Sequence, residues 1–382
     1  MPSLLVTNDF PPKIGGIQSY LYELWRRLPP ESTTVLTTPQ AGDRAWDADQ
    51  KFRVERTREP VLLPSPALAR RVDALAREVG ADVIFLDPAL PLGLIGPELQ
   101  SAPWVVVLHG AEVTVPARLP GSRQLLARVL RRAAGVVAAG EYPAREAMRA
   151  VGSSLPQIVV PPGVDVERFT PVASAEVRAN ERARFGLEPD RVTVVAVSRL
   201  VPRKGFDVLL DALALLELDV QLVIAGDGRD RRRLEARGAR LGLASRVRFL
   251  GRVSDDDLPA VYRSGDVFAM VCRERWAGLE AEGFGIVFLE AAACGLPSVA
   301  GRSGGSHEAV VDEKTGFVVD PGDVMLLAQT LERLVLNPGL RVRLGTSARA
   351  WAVDCSYDER VGSLAPLANG DFSVLSKFTS PT

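Results

Sequence analysis

Short apolar runs alternate with longer segments of helical period along almost the whole chain, and this alternation constrains the fold more than any other feature. In chain order the runs read SLLVTN, TTVLTT, DVIFLD, WVVVLHG, GVVAAG, VTVVAVSR, VQLVIAGDG, RVRFLG, DVFAMVC, PSVAG and GFVVD. Continuous apolar strands separated by helices are typical of parallel sheets that are covered on both faces. The pattern therefore predicts an α/β fold built from doubly wound parallel sheets.

The alternation pauses once, at VVPPGVDVERFTP, where two prolines and a glycine at residues 161–163 cannot continue a helix. At 382 residues the chain is long enough for two domains. We predict a first Rossmann-like domain over residues 1–166 and a second over residues 167–352. Residues 353–382 are expected to form a C-terminal helix that returns toward the first domain, followed by an irregular tail.

Composition excludes several classes of protein. The 46 basic and 47 acidic residues give a formal net charge of −1, whereas a nucleic-acid-binding domain is normally basic. Three scattered cysteines, Cys272, Cys294 and Cys355, do not make a disulfide framework or a zinc site, which favours a reducing cytosol. No apolar run reaches the roughly 18 residues of a membrane span, and no export leader is visible. We therefore expect a cytoplasmic protein that does not bind nucleic acid.

Two adjacent glycines follow the first strand, in VTNDFPPKIGGIQS. In doubly wound sheets, ligands bind beyond the carboxyl ends of the strands, near helix amino termini. Without side chains, Gly15 and Gly16 allow backbone N–H groups to approach a phosphate oxygen. A turn that merely needs a positive φ angle explains the pair equally well. Neither this turn nor Gly226 and Gly228 completes a G-x-G-x-x-G motif, which disfavours a nicotinamide dehydrogenase.

The second domain carries a stronger group of charged residues. VSRLVPRKG presents Arg199, Arg203 and Lys204 where the chain leaves a buried strand, and EAEGFGIVFLEAAACG places Glu282 before a glycine-rich helix start and Glu290 within the helix. Cations beside a helix amino terminus suit a diphosphate, and carboxylates accept hydrogen bonds from vicinal hydroxyls. The group predicts a sugar-nucleotide site, and a salt-bridged loop of the same residues is the alternative.

Together these motifs resemble the retaining glycosyltransferases of family 4. The resemblance is carried by EGFGIVFLE, VSRLVPRKG, PPGVDVERF, LVIAGDG, FLGRV, SGGSHEAV and TGFVVDPGD, which stand in the family's order. It implies the GT-B fold, in which two Rossmann-like domains face a cleft. Within the family, LLVTNDFPPKIGGIQSYL, LLPSP, LPGSRQ, SRLVPRKG and EGFGIVFLEA are most similar to actinobacterial mannosyltransferases that use GDP-mannose to add a second mannose to phosphatidylinositol monomannoside.

The resemblance implies roles for the motif residues. Gly16 would donate its backbone N–H to the β-phosphate, Arg199 and Lys204 would neutralise the departing GDP, and Glu290 would hold the ribose diol. Fixed cations of this kind stabilise the charge that develops on the diphosphate, so no metal, cofactor or protein nucleophile is expected. The full set of implied donor-binding residues is Gly16, Arg199, Lys204, Glu282, Gly283, Phe284, Gly285, Ile286, Val287 and Glu290.

Two further residues are implied to act on the donor sugar. Glu282, with the backbone N–H groups that follow it, would hold the sugar hydroxyls. His109, in VVVLHGAEV, matches the family's active-site histidine, although a lone histidine is by default a structural residue. The implied catalytic residues are thus His109, Arg199, Lys204 and Glu282.

The expected acceptor is lipid-linked. Asp9 and Gln18, beside the glycine turn, are placed to bind an inositol head group, unless Gln18 is merely an exposed residue of the first helical turn. Residues 117–135, ARLPGSRQLLARVLRRAAG, contain five arginines and no acid among apolar residues. Such a segment can lie on an anionic membrane, or it can be an ordinary helix with its apolar stripe in the core. We expect peripheral contact of residues 117–135 with the inner face of the plasma membrane.

A D-x-D sequence at Asp255 and Asp257 invites a metal-binding interpretation. We interpret it as a helix start instead, with Ser254 as the N-cap and the carboxylates in the first helical turn, where the helix dipole favours them.

Two alternatives to the mannosyltransferase stay open at this point. One is a family-4 enzyme with another UDP- or GDP-linked sugar and a different acceptor, and the other is a sugar-nucleotide isomerase or non-catalytic nucleotide binder of the same architecture. The chain departs from the family pattern at Ala111, Trp276, Glu280 and His307, which lie near the expected meeting point of donor sugar and acceptor. These departures bear on the identity of the substrates more than on the chemistry.

Overall fold

The apolar runs form the strands of two separate sheets in the computed structural model, which describes residues 1–377. The chain divides into two compact units, the first made of Met1–Pro162 with the segment that begins at Tyr357, and the second of Gly163–Ser356. The two doubly wound, Rossmann-like domains predicted from the sequence are confirmed.

The strands within residues 1–377 are β1 (Ser3–Thr7), β2 (Thr33–Thr37), β3 (Arg53–Arg56), β4 (Val83–Asp87), β5 (Trp104–Leu108), β6 (Gly135–Ala138), β7 (Pro156–Val159), β8 (Val192–Val197), β9 (Val220–Ala225), β10 (Val247–Gly251), β11 (Val267–Met270), β12 (Ser298–Gly301), β13 (Gly316–Val319) and β14 (Ser376–Lys377).

The α-helices in the same range are α1 (Gly16–Trp25), α2 (Asp43–Ala48), α3 (Pro66–Val79), α4 (Ala111–Arg118), α5 (Ser122–Arg132), α6 (Glu141–Val151), α7 (Ala175–Arg184), α8 (Phe206–Leu215), α9 (Arg231–Arg240), α10 (Leu258–Arg263), α11 (Ile286–Ala293), α12 (Val324–Leu336), α13 (Pro338–Asp354) and α14 (Tyr357–Ala368). Short 3₁₀ segments lie at Pro30–Ser32, Leu92–Glu98, Pro202–Lys204, Ser306–Ala309 and Phe372–Val374.

The first unit contains a sheet in the order β14-β7-β6-β5-β4-β1-β2-β3. Neighbouring strands are parallel, except that β14 runs antiparallel to β7. Successive residues of a strand point to opposite faces, and both faces are covered here: Leu4 and Val6 pack into one apolar cluster, and Leu5 packs into another. Burial on both faces explains why the central strands are continuously apolar.

The second unit repeats this arrangement with six parallel strands in the order β10-β9-β8-β11-β12-β13. Val195 and Val197 enter one core cluster, and Val194 and Ala196 enter the other. In each sheet the strand order reverses beside the first strand, between β1 and β4 and between β8 and β11. Ligands of open α/β sheets bind at the carboxyl ends of the strands at such reversal points.

Several details differ from the sequence expectations. The strands β3, β7 and β14 were not predicted. The compact units divide after residues 162 and 356, whereas we predicted domain ends at residues 166 and 352. Helix α14 packs in the first unit, where Leu364 and Leu367 share a core cluster with Trp25. Part of the segment predicted as an irregular tail forms a 3₁₀ turn and β14, and residues 378–382 lie outside the described residues.

Within residues 1–377, none of the helices is long and apolar enough to cross a membrane.

Candidate active site

Three neighbouring strands of the first unit bring polar side chains together at their carboxyl ends. Thr7 ends β1, Asp87 ends β4 and His109 follows β5. The His109 Nε2 atom lies 2.6 Å from Asp87 Oδ1, and the Thr7 hydroxyl donates a hydrogen bond of 2.6 Å to Asp87 Oδ2. The side chains of His109 and Asp87 are 8% and 1% exposed, so this is a buried pair.

The buried pair changes the protonation of His109. Burial disfavours the imidazolium, but the nearby carboxylates of Asp87, Glu112 and Asp9 outweigh burial and raise the pKa of His109 above its ordinary value. Since Nε2 faces Asp87, Nδ1 is the ring nitrogen that has no hydrogen-bond partner among the described residues. The arrangement leaves Nδ1 as the atom with which His109 can contact a ligand.

Two more residues orient His109. The ring of Tyr20 packs edge-to-face against the imidazole, with 5.4 Å between centroids, and its hydroxyl donates a hydrogen bond of 2.8 Å to the Val160 carbonyl. The Glu112 carboxylate accepts hydrogen bonds from the backbone N–H groups of His109 and of Gly110, the latter at 2.9 Å. The strand exit that carries His109 is thus fixed by its own loop and by helix α1.

Asp9 and Gln18 lie together beside the glycine turn. Gln18 Nε2 donates a hydrogen bond of 2.5 Å to Asp9 Oδ1, which also lies 2.7 Å from Lys13 Nζ. Gln18 is only 7% exposed, so the alternative that it is an exposed first-turn residue is wrong. The two residues assigned to the acceptor therefore form one hydrogen-bonded unit.

The glycine turn does not need Gly16 for steric reasons. Gly16 is the first residue of α1, is exposed, and would have no atom within 4 Å of an added Cβ. A Cβ on Gly15 would meet only the flexible end of Gln18, at 2.2 Å from Oε1. The first helical hydrogen bond runs from Ser19 N–H to the Gly15 carbonyl, which leaves the N–H groups of the first turn available.

In the second unit, Lys204 and Glu282 form a buried ion pair at the reversal point of the sheet. Lys204 Nζ lies 2.7 Å from Glu282 Oε2, with the side chains 8% and 11% exposed. Arg203 Nε approaches the same carboxylate at 3.7 Å. Arg199, in contrast, is exposed, and its side chain contacts no charged partner in the described part of the chain. The structure thus brings Lys204 and Glu282 together and leaves the Arg199 guanidinium apart from them.

The turn that carries Lys204 packs closely against the end of β11, just before α8 begins. Gly205 has a φ angle of 69°, and a Cβ there would lie 1.8 Å from the Val271 carbonyl oxygen, so only glycine allows the Lys204 turn to pack on the exit of β11. Burial disfavours ionisation of Glu282, but Lys204 and Arg203 outweigh burial and lower the pKa of this carboxyl. Glu282 is therefore held as a carboxylate. Burial raises the pKa of the neighbouring Cys272 to about 12, so this thiol stays protonated.

The residues after Glu282 lead into α11. Gly285 is the N-cap, with a φ angle of 94° that explains why glycine stands there. Phe284 is buried, and Ile286 and Val287 open the helix, half-buried. Gly283 precedes them in the same segment. Residues 283–287 thus form the amino terminus of α11, where the first backbone N–H groups have no partner within the helix.

Glu290 lies one turn further along α11. The Tyr262 hydroxyl donates a hydrogen bond of 2.5 Å to its Oε2 atom. Burial raises the pKa of Glu290, and neither this hydrogen bond nor the charge of Arg168 fully offsets burial. Glu290 thus has a different environment from Glu282, because no lysine or arginine among residues 1–377 forms an ion pair with it.

The D-x-D segment forms a turn that precedes α10. The Ser254 hydroxyl accepts a hydrogen bond of 3.2 Å from Asp257 N–H within this turn. Helix α10 begins at Leu258 with Asp257 as its N-cap, so the expectation of Ser254 as the N-cap, with the carboxylates in the first helical turn, is wrong. Asp257 pairs with Arg184. Within residues 1–377, no group of three His, Cys, Asp or Glu side chains is arranged to hold a metal ion.

Residues 117–135 do not form one helix. They span the end of α4, a loop and α5, whose Leu126, Val129 and Leu130 are buried in the core. The apolar stripe of α5 is therefore an ordinary core face, as the alternative interpretation holds. The arginines of the segment lie outside this core.

Four arginines line a groove of about 680 Å³ beside α5: Arg118, Arg123, Arg131 and Arg149. Arg123 and Arg131 donate to backbone carbonyls at the carboxyl end of α6. Arg118 forms a paired hydrogen bond of 3.0 Å with Glu146.

Some contributors to the site were not predicted. Arg203 was noted but given no role, and Asp87, Thr7, Tyr20 and Tyr262 were not singled out. Asp87 had a signal in the sequence, because a charged residue that ends an apolar strand in DVIFLD must lie at the carboxyl edge of the sheet. The tyrosines had no such signal, since their contacts join residues far apart in the chain.

Comparison with known proteins places this geometry in a family. A family model described as Glycosyltransferase Family 4 matches residues 14–168, and one described as Glycosyl transferases group 1 matches residues 177–351. HepE from Anabaena in complex with UDP has a similar fold, with a TM-score of 0.81 at 23% identity over 97% of this chain and 100% of that chain. Sucrose-phosphate synthase from Thermosynechococcus elongatus gives a TM-score of 0.78 at 21% identity, over 98% and 100% of the two chains.

Curated relatives are more similar in sequence. A GDP-mannose-dependent alpha-(1-6)-phosphatidylinositol monomannoside mannosyltransferase of Mycolicibacterium smegmatis is 40% identical, over 96% of this chain and 98% of its own length. A mannosyltransferase of Corynebacterium glutamicum that acts on the monoacylated monomannoside is 38% identical, over 91% and 92%. The resemblance deduced from the motifs is confirmed. With two family models in series and relatives of this identity along nearly its whole length, the chain belongs to the family-4, group-1 glycosyltransferases.

Proposed function

We propose that the protein is a retaining α-mannosyltransferase that transfers mannose from GDP-mannose to a phosphatidylinositol mannoside. The observation that carries this proposal is the 40% identity, over almost the full length of both chains, to an enzyme whose name states that donor and acceptor. The polar groups at the carboxyl ends of both sheets supply the kinds of side chain that such a transfer needs.

The donor half of the reaction is assigned to the second unit. Lys204 and Arg199 neutralise the diphosphate of the departing GDP, and fixed cations of this kind stabilise a transition state without reorganisation. Glu282, kept ionised by Lys204, accepts hydrogen bonds from the hydroxyls of mannose. Glu290 binds the ribose diol. Arg199 is exposed and has no charged partner among the described residues, which supports a role in contacting the diphosphate of a bound donor.

The acceptor half is assigned to the first unit. Asp9 and Gln18 bind hydroxyls of the inositol head group, and Gly16 donates a backbone N–H to the β-phosphate of the donor. His109 contacts the transferred sugar through Nδ1. Its hydrogen bond to Asp87 supports this assignment, because the bond holds the ring in one orientation. The reaction needs no metal ion, since cationic side chains neutralise the leaving group.

Membrane contact is assigned to the arginines of residues 117–135, at the inner face of the plasma membrane. Arg128 and Arg132 are exposed on α5, and the described residues offer neither side chain a partner. The arginine-lined groove lies on the same segment. Each basic residue near an anionic surface contributes about 1 kcal/mol to binding.

Thermal stabilisation by nucleotide sugars tests the donor assignment. GDP-mannose should raise the Tm, because a ligand that binds only the folded state stabilises it by about 2.7 kcal/mol at 100 times its Kd. UDP-glucose and UDP-galactose should have little effect. Lys204→Met should abolish most of the shift, whereas Lys314→Met, at an exposed lysine of the same unit, should not. Stabilisation by a UDP-sugar and not by GDP-mannose would overturn the assignment.

A further inference from the structure

The loop between β11 and α11 holds an exposed tryptophan on strained backbone. Trp276 and Ala277 have φ angles of 49° and 52°, and Gly278 follows at 82°. Bulky residues rarely adopt this left-handed region, because the Cβ crowds the neighbouring carbonyl. Strain of this kind persists only where the surrounding structure enforces it, and it is concentrated at ligand-binding sites. The indole ring carried on this backbone is 64% exposed.

A charged brace fixes the base of the loop. Arg275 and Glu280 exchange two backbone hydrogen bonds, at 2.9 Å and 3.2 Å, and their side chains form an ion pair at 2.9 Å. The Arg275 guanidinium also lies 4.7 Å from the centroid of the Trp276 ring, at a distance typical of a cation–π contact. The ring is therefore oriented by its neighbours although most of its surface is open.

The brace connects directly to the proposed donor site. Glu280 Oε1 lies 3.9 Å from Arg203 Nη1, and Arg203 Nε lies 3.7 Å from Glu282 Oε2. Glu282 is the carboxylate that Lys204 holds at 2.7 Å. A chain of ion pairs thus ties the tryptophan loop to the residue assigned to the sugar hydroxyls, so the position of the ring and that of the carboxylate are set together.

We propose that Trp276 is a stacking platform for a hexose ring of the donor or of the acceptor. The proposal rests on the proposed function and deepens it. An indole face is large and apolar, and its π system carries a partial negative charge. Such a face attracts the C–H groups on the apolar face of a pyranose. A membrane anchor is the other use of an exposed tryptophan. The charged neighbours Arg275, Glu280 and Arg203 argue against insertion into lipid and for a polar ligand that has one apolar face.

Substitution of Trp276 tests the platform through Michaelis constants. Trp276→Ala should raise the KM of the hexose substrate that stacks on it by roughly 3- to 10-fold, because the loss of one aromatic contact weakens binding by about that factor. Trp276→Phe should recover most of the affinity. The donor and the acceptor are titrated separately, each at saturating concentration of the other, so the KM that rises identifies the source of the ring. Met325→Ala, which removes an exposed apolar side chain from α12, is the control and should change neither KM.

Stability and binding to vesicles separate the platform from other roles. Trp276→Gly should not lower the Tm, because glycine accepts a positive φ without strain, yet it should raise the same KM as Trp276→Ala. Unchanged KM values for both substrates in folded Trp276→Ala would overturn the proposal. So would loss of binding to anionic vesicles with both KM values unchanged, since that result indicates a membrane anchor.

A binding measurement keeps this test independent of the transfer reaction. Methyl α-D-mannoside or GDP-mannose should change the tryptophan fluorescence of the wild-type protein, and Trp276→Phe should remove that change. If the wild-type protein failed to transfer mannose but still showed the fluorescence change, the proposed function would fail and the platform would stand. Equal fluorescence responses of the wild type and Trp276→Phe would contradict the platform.

Discussion

At the scale of single residues, each unit holds a buried pair of ionisable side chains next to the reversal point of a sheet. His109 and Asp87 form one, and Lys204 and Glu282 form the other. Taking charges out of water is costly, so removal of one partner leaves an uncompensated buried charge. Variants at these positions therefore need a stability measurement beside any activity measurement.

The pKa of His109 predicts how its contribution to stability depends on pH. Its pKa in the folded protein is raised above the ordinary value of about 6.5, so the stabilisation is complete below that value and is lost as the pH rises through the folded pKa. The carboxylates of Asp87, Glu112 and Asp9 face the imidazole and cause the shift. The difference in Tm between the wild type and His109→Gln should be largest at pH values below about 6.5 and shrink as the pH rises above that value.

Calorimetry of both proteins across this pH range checks the prediction. Each protein has many other titrating groups, so the difference between the two proteins is the quantity to follow. A Tm difference that stays constant, or that grows with rising pH, would show that His109 is not held protonated by its neighbours.

Substitution of Gly16 can separate an effect on donor binding from an effect on stability. Its site has room for a Cβ, and alanine in a helix is favoured over glycine by roughly 0.5–1 kcal/mol, so Gly16→Ala should keep or raise the Tm. If the Gly16 N–H contacts the β-phosphate, the added methyl group should still raise the KM of the donor. Gly362→Ala is the matched control, because Gly362 is also helical, exposed and free of neighbours within 4 Å. Identical donor KM values for Gly16→Ala, Gly362→Ala and the wild type would contradict the role.

At the scale of elements, helix α5 combines a structural face with a candidate membrane face. Arg123 and Arg131 hold carbonyls of α6, so substituting them would disturb the fold. Arg128 and Arg132 are exposed and suit a test of surface attraction. The double substitution Arg128→Gln and Arg132→Gln should weaken binding to vesicles containing phosphatidylinositol by roughly tenfold or more, since each arginine contributes about 1 kcal/mol.

The control for this double variant removes the same charge elsewhere. Arg232→Gln with Arg240→Gln, on the exposed side of α9, should leave vesicle binding unchanged. Added salt should weaken binding of the wild type, because charges are screened beyond a Debye length of roughly 8 Å. Equal vesicle binding by the α5 double variant and the wild type would remove α5 from the membrane contact.

The sequence predicts the central strands of the two sheets well and the edge strands poorly. Strands buried on both faces must be apolar throughout, so SLLVTN or VTVVAVSR is recognisable without its neighbours. Edge strands need no such run: β3 reads RVER and is defined by its pairing with β2, and β14 by its pairing with β7. Pairing partners that are distant in the chain leave no local pattern.

The candidate site was predictable to the same degree. Lys204 and Glu282 follow neighbouring strands, so their proximity could be deduced from the strand pattern. The separation of Arg199 could not, because it depends on the turn that leads into the 3₁₀ segment Pro202–Lys204. The pairing of His109 with Asp87 could have been predicted in the same way, because both residues lie at the carboxyl ends of neighbouring strands.

At the scale of the whole molecule, the proposed function assigns neutralisation of the departing diphosphate to the side chains of Lys204 and Arg199. We therefore expect activity to survive EDTA, and Asp255→Asn to retain the turnover of the wild type, because Ser254 and its aspartates form a turn before α10. Transfer assays with and without chelator check both expectations. Loss of turnover in folded Asp255→Asn, or a requirement for manganese, would show that the D-x-D segment binds a metal ion.

The transfer reaction itself tests the central claim most directly. Purified protein is incubated with GDP-mannose and phosphatidylinositol monomannoside, and the lipid product is analysed by mass spectrometry and by NMR of its anomeric protons. We predict a product that carries one additional mannose in α linkage, with the configuration of the donor retained. A β-linked product, or transfer from a UDP-sugar while GDP-mannose gives no product, would contradict the account.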